Sequence, residues 1–192
     1  MSFSELEKCK IREALLRAGA RSFARFGLKR TRVEDLTRAA GIAKGSFYAF
    51  FPSKEALCFA VLEEEERQRD LLLAEKIRTV RDYEELAEVM SEAFDAFERS
   101  AVAMRLYELD EFQALIRRIP PEEIARHQNQ DRHRMESIIG PIAGTEPAVT
   151  AGLFRAILML SLQRNAIGEE VFPQVRTLLI RSVCRELWRE KT

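Results

Sequence analysis

The stretch TRVEDLTRAAGIAKGSFYAFFPSKEAL, residues 31–57, decides the fold. Val33, Leu36 and Ala40 recur at helical spacing until Gly41 interrupts them. The spacing predicts a helix opening at Thr31, whose hydroxyl caps it, with Glu34 three residues on to complete a capping box. Gly41 supplies the positive φ of a sharp turn, and Ile42 follows as an apolar plug. A short helix is then predicted over about 44–51 and is stopped by Pro52, after which Ser53 caps a longer helix reaching about Lys76. Phe47 and Phe51 are four apart and share a face, so with Val33, Leu36 and Ile42 they form a miniature core. Lys44 and Tyr48, also four apart, are left on another face, a cation and a phenol pointing outward. Helix, glycine turn, helix is the geometry that lays its second helix in the major groove of DNA while the first braces it.

Charge agrees with that geometry. Residues 1–57 hold 12 Lys and Arg against 6 Asp and Glu, an excess of six positive charges; the whole chain is neutral, so the remainder carries six negative ones. A basic head on an acidic body suits a polyanionic partner. Gly45 and Ser46 open the short helix, where free backbone N–H groups favour phosphate, and Lys54 beside Ser53 repeats the device. Lys29, Arg30 and Arg32 add cations where the preceding helix begins.

Outward from this stretch, period-two alternation is absent and helical spacing recurs almost everywhere, so the chain is read as all-α with about nine helices. The first is predicted over Ser4 to Phe26, with Ile11, Ala14, Leu15, Ala18, Ser22 and Phe26 inward and Gly27 as its stop. Later helices are expected over Asp82 to Ser100, Met104 to Arg118, from near Glu122, over Ala148 to Ala166 and over Pro173 to Glu190. A loop is expected at Gly140, Pro141, Gly144 and Pro147. Charged residues interrupt the first helical pattern, so no secretory signal is expected there. The most apolar segment, Ala156 to Leu162, is far short of the roughly 20 residues of a bilayer span. Three scattered cysteines without a CxxC pair suggest neither a disulfide framework nor a zinc site, and a reducing cytoplasm is the expected compartment.

These residues closely resemble the DNA-binding domain of the tetracycline-repressor (TetR) family. The likeness covers Ala18 to Leu57 and is carried by FARFG at Phe23 to Gly27, TRVEDL at Thr31 to Leu36, AAGIAKGSFY at Ala39 to Tyr48 and FPSKEAL at Phe51 to Leu57. The resemblance implies a helix-turn-helix domain over 1–57 and a helical effector-binding and dimerisation domain over 58–192. It implies DNA contacts at Arg32, Lys44, Gly45, Ser46, Tyr48 and Lys54, to which Thr31 is added as the residue opening the second helix. It also implies a homodimer on a palindromic operator in double-stranded DNA and a small-molecule effector of unknown identity. Three departures matter. Ala43, Ala49 and Phe50 stand where the family often has polar donors, so readout rests on few side chains. Phe50 either contacts thymine methyls or packs against the fourth helix.

Beyond Leu57 the likeness is architectural. The last two long helices are apolar on two sides and must be covered on two sides. Leu153, Ile157 and Leu160 with Val175, Leu179 and Val183 are the expected dimer contacts of a four-helix interface, the alternative being a thick monomeric core. Met90, Phe94, Phe97, Met104, Tyr107 and Phe112 are candidates to line an effector pocket, or else plain core. Asp95, Glu98 and Glu108 either select a cationic ligand or are solvated. His127 and His133 are six apart, a spacing that does not share a helix face. No nucleophile elbow, phosphate loop or metal-ligand cluster is present, so neither an enzyme nor a cofactor or metal site is expected, and no membrane partner.

Overall fold

The computed structural model describes residues 3–140 and 144–188, which form ten α-helices and one 3₁₀-helix. The all-α class expected from periodicity therefore holds. Pro141 of the expected loop and Glu190 of the last expected helix lie outside the described residues. Among the described residues no helix is long and apolar enough to cross a membrane. The chain forms two compact units: residues up to Arg67 together with Arg99–Pro121, and Gln68–Glu98 together with the residues from Glu122 on.

The first unit is organised by α1 (Glu5–Arg30), which packs against α2 (Val33–Ala40) and α5 (Ala101–Glu108). Ser4 caps α1 by accepting the Glu7 N–H while the Glu7 carboxylate accepts from the Ser4 backbone, so a capping box forms here. The inward face follows Leu15, Gly19 and Phe23, not the expected Ser22 and Phe26; Phe26 is 42 % exposed and lies under the Arg25 guanidinium. Gly19 explains the shift. A Cβ there would stand 3.2 Å from Val61 and 3.3 Å from Leu57, so its absence lets α3 (Lys54–Ile77) close onto this face. Gly27, at φ 74° and ψ −177°, breaks α1 as expected, but the chain re-enters helix over 28–30.

The sequence predicted one helix over Met104 to Arg118; the structure has α5 and α6 (Phe112–Ile116) with a break between them. Asp110 adopts φ 52° and closes α5 with two bonds, its own N–H to the Tyr107 carbonyl and the Glu111 N–H to that of Leu106. Neither glycine nor proline marks that turn.

The second unit holds the C-terminal part of α3, α4 (Tyr83–Glu98), α7 (Pro121–Ile139), α8 (Pro147–Ser161), the turn α9 (Arg164–Ile167) and α10 (Phe172–Leu187). The expected helix from Ala148 to Ala166 thus ends at Ser161. Its core joins Leu86, Met90, Phe94, Ile139, Phe154 and Ile180, with α10 packed on both α4 and α8. Each terminal helix leaves large apolar side chains exposed: Val149 and Met159 on α8, and Leu178 on α10 with Val171 at its N-cap.

Candidate nucleic-acid interface

Residues 27–54 build one face of the first unit. After Gly27 a single helical turn carries Leu28 inward and Lys29 and Arg30 outward. The predicted Thr31 cap does not form. Thr31 is 3 % exposed and its hydroxyl donates back to the Gly27 carbonyl at 2.7 Å, so the N-cap of α2 is Arg32, without a side-chain bond. The buried hydroxyl closes the turn below the interface, and Arg32 beside it is exposed.

Gly41 ends α2 in the left-handed conformation, with its N–H to Arg38 and that of Ile42 to Thr37. The predicted second helix is a 3₁₀-helix, Lys44–Ala49, shorter than the expected 44–51. Phe47 is fully buried and Phe51 nearly so, their rings 6.2 Å apart, and Tyr48 stands edge-on to Phe47 with 57 % of its surface exposed. The aromatics thus divide between core and surface as their spacing predicts. Phe50 is half-buried against Phe3, ring centroids 5.9 Å apart, a partner that precedes α1.

Gly45 has nothing within 4 Å of where a Cβ would lie and has no left-handed φ. The fold therefore does not require glycine there. Ser46 is half-buried, and its backbone N–H is spent on the Ala43 carbonyl. Lys44 is not a free cation: its ammonium meets the Glu34 carboxylate at 2.5 Å. That hydrogen bond holds Glu34 below the usual carboxylate range and raises Lys44 above the usual lysine range.

At the start of α3, Ser53 accepts the Ala56 N–H at 3.0 Å, as predicted for its cap. Lys54 turns back to donate to the carbonyls of Lys29 and Thr31 at 3.2 and 3.1 Å. An open concavity of about 390 Å³ results, lined by Lys29, Arg32, Tyr48, Ser53 and Lys54 with Glu34 at its side. Three cations around an uncovered hollow suit a phosphate group, and the glycine and phenol beside it suit close approach of a duplex.

Two carboxylates support this face from behind, and the sequence showed neither. Glu111, 3 % exposed, accepts the backbone N–H groups of Leu28 and Lys29 at 2.5 and 3.2 Å. Glu55, 8 % exposed in the first turn of α3, pairs with Arg118 at 2.5 Å. Their partners are 83 and 63 residues away, and no local spacing signals them.

The remaining expected site residues separate. Met90 and Phe94 lie in the core of the second unit, with Phe94 6.2 Å from Phe154, and Phe97 lies under the Arg69 guanidinium. Met104, Tyr107 and Phe112 are half-buried in the first unit. Asp95 and Glu98 both pair with Arg176, at 2.5 and 2.7 Å, and so are engaged by a cation of the chain itself. Of the expected dimer contacts, Ile157 is spent in its own core, whereas Leu153, Leu160, Val175, Leu179 and Val183 are half-buried.

Residues 15–61 match the family model for bacterial regulatory proteins of the tetR family. Over 53 residues the chain is 42 % identical to the HTH-type transcriptional regulator RutR of Escherichia coli K12, a match spanning 28 % of this chain and 25 % of RutR. It is 30 % identical over 172 residues to the HTH-type transcriptional repressor KstR2 of Mycolicibacterium smegmatis, covering 86 % of this chain and 78 % of that protein. A crystal structure of a TetR-family transcriptional regulator from Pectobacterium atrosepticum shares the fold, with a TM-score of 0.66 at 20 % identity over 94 % of this chain and 93 % of that one. Helix-turn-helix geometry, the matched segment and the relative matched over most of its length agree, and the chain belongs to the TetR family of bacterial regulatory proteins.

Proposed function

We propose that the protein is a cytoplasmic transcriptional repressor that binds a palindromic operator as a homodimer and releases it when a small molecule binds. The observation that carries DNA contact is Gly45, a glycine that the fold does not require, exposed between Lys44 and Tyr48 on the 3₁₀-helix. An external backbone is the partner that needs the missing side chain. Arg32, Lys44 and Lys54 supply cations to phosphates, the 3₁₀-helix supplies Gly45, Ser46 and Tyr48, and Thr31 holds the turn from which Arg32 projects.

Dimerisation is supported by the exposed apolar side chains of α8 and α10, which the chain's own core leaves uncovered. A two-fold pair of such helices would bury them and set two reading heads on two half-sites. Effector binding follows from family membership. Residues 1–57 are assigned to reading DNA and 58–192 to dimer and effector. The role is binding, not catalysis.

The test is selection. Purified protein is mixed with genomic fragments of the organism that encodes it at physiological salt, and retained fragments are sequenced. Enrichment of one palindromic sequence supports the proposal, and uniform retention of all fragments would refute it.

A further inference from the structure

We propose that Glu111, outside the helix-turn-helix, is the positioning residue for the basic run Lys29–Arg32, so that the working DNA-binding unit includes residues 99–121. The inference rests on the DNA-binding function above. The run begins with a single helical turn, too short to hold itself, and charged side chains grip it at both ends. At its N–H end the Glu111 carboxylate accepts from Leu28 and Lys29. At its carbonyl end the Lys54 ammonium donates to Lys29 and Thr31. Each charge opposes the partial charge of the end it meets.

The contact is over-determined, as a positioning device requires. A Cβ on Gly27 would lie 2.4 Å from Leu109 Cδ1 and 2.7 Å from Glu111 Oε2, so both side chains would have to shift to admit one, and the φ of 74° there already favours glycine. Asp110, which presents Glu111, is the one non-glycine residue with positive φ among the described residues. Two further bonds fasten the same segment to α3: Ser100 donates to Glu65 at 2.5 Å and Arg118 pairs with Glu55.

Glu111→Gln tests the assignment because it keeps the shape while setting an amide donor against one of the two N–H groups and removing the charge. Binding is read by fluorescence anisotropy on a labelled random-sequence duplex of about 30 base pairs at low salt. The variant is expected to bind about tenfold more weakly and to lose roughly 1 from the salt slope. In a Lys29→Ala, Arg32→Ala background the same change is expected to have no effect, since the side chains it positions are gone. An equal loss in both backgrounds would show a merely structural role and overturn the proposal, as would unchanged binding. Amide hydrogen exchange of the wild-type protein judges the contact without any variant. Slow exchange at Leu28 and Lys29 is expected, and exchange at the rate of free amides would overturn it. Failure of the wild type to bind the duplex refutes the DNA-binding function itself, whereas failure of the cycle with wild-type binding intact refutes the role of Glu111.

Discussion

Gly45→Ala separates folding from function at a single methyl group. In the folded chain the new Cβ meets nothing within 4 Å, and the backbone conformation is open to any residue. Alanine also narrows the unfolded ensemble, so stability should stay level or rise by about 0.4 to 1 kcal/mol. On DNA the same methyl projects from the first turn of the 3₁₀-helix toward the approaching backbone. Displacing that backbone sacrifices at least one charge-assisted phosphate contact, about 1.5 to 3 kcal/mol, which is roughly a 10- to 150-fold loss of affinity. Urea unfolding followed by circular dichroism measures the first quantity, and anisotropy on a selected operator fragment measures the second. Gly41→Ala is the internal contrast. Its φ of 71° makes alanine cost about 1 to 2 kcal/mol of stability although space there is open too. If Gly45→Ala bound operator with wild-type affinity, the interface would not use this face.

Leu178→Arg should leave the fold intact, because the side chain is 66 % exposed, yet abolish dimers in sedimentation velocity by burying an unpaired charge worth about 3 to 5 kcal/mol; a fully dimeric variant would refute the α8–α10 interface. Glu34→Gln should release Lys44 and remove a negative charge from the interface, raising DNA affinity and steepening its salt dependence by roughly 1. Because Glu34 is held below the usual carboxylate range, whatever stability the pair gives is present above that range and lost only as pH falls through the depressed value, so a pH titration near neutrality should show no transition from it. Cys9 is exposed, whereas burial pushes the thiol of Cys184 up to about 12 and that of Cys58 higher still. A thiol reagent should therefore titrate Cys9 alone in the native protein and all three cysteines in urea.

The helix-turn-helix was legible because its punctuation is chemical. Gly41, Pro52 and Ser53 act through φ, a missing N–H and a short hydroxyl, each within a few residues of its effect. The split of Phe47 and Phe51 from Tyr48 followed from spacing alone. Failures came where a distant partner decides. Phe23 instead of Phe26 faces inward because α3 closes over Gly19, a contact made across about 40 residues. Thr31 is the local exception: it has the composition of a cap but spends its hydroxyl on the Gly27 carbonyl four residues back. The break at Asp110 carries no glycine, and the turn is paired with the presentation of Glu111 to α1. Lys44 and Lys54 were placed correctly on the surface, while their intramolecular oxygen partners were not foreseen.

Hydroxyl-radical footprinting on a selected fragment tests the central claim most directly. The predicted result is two symmetric protected patches on the same face of the duplex, their centres one helical turn or a multiple of it apart, about 34 to 36 Å per turn. Tyr48→Ala and Gly45→Ala should weaken both patches together. A single patch, or diffuse protection that follows the protein onto any sequence at physiological salt, would contradict a dimer reading a palindrome through the 3₁₀-helix.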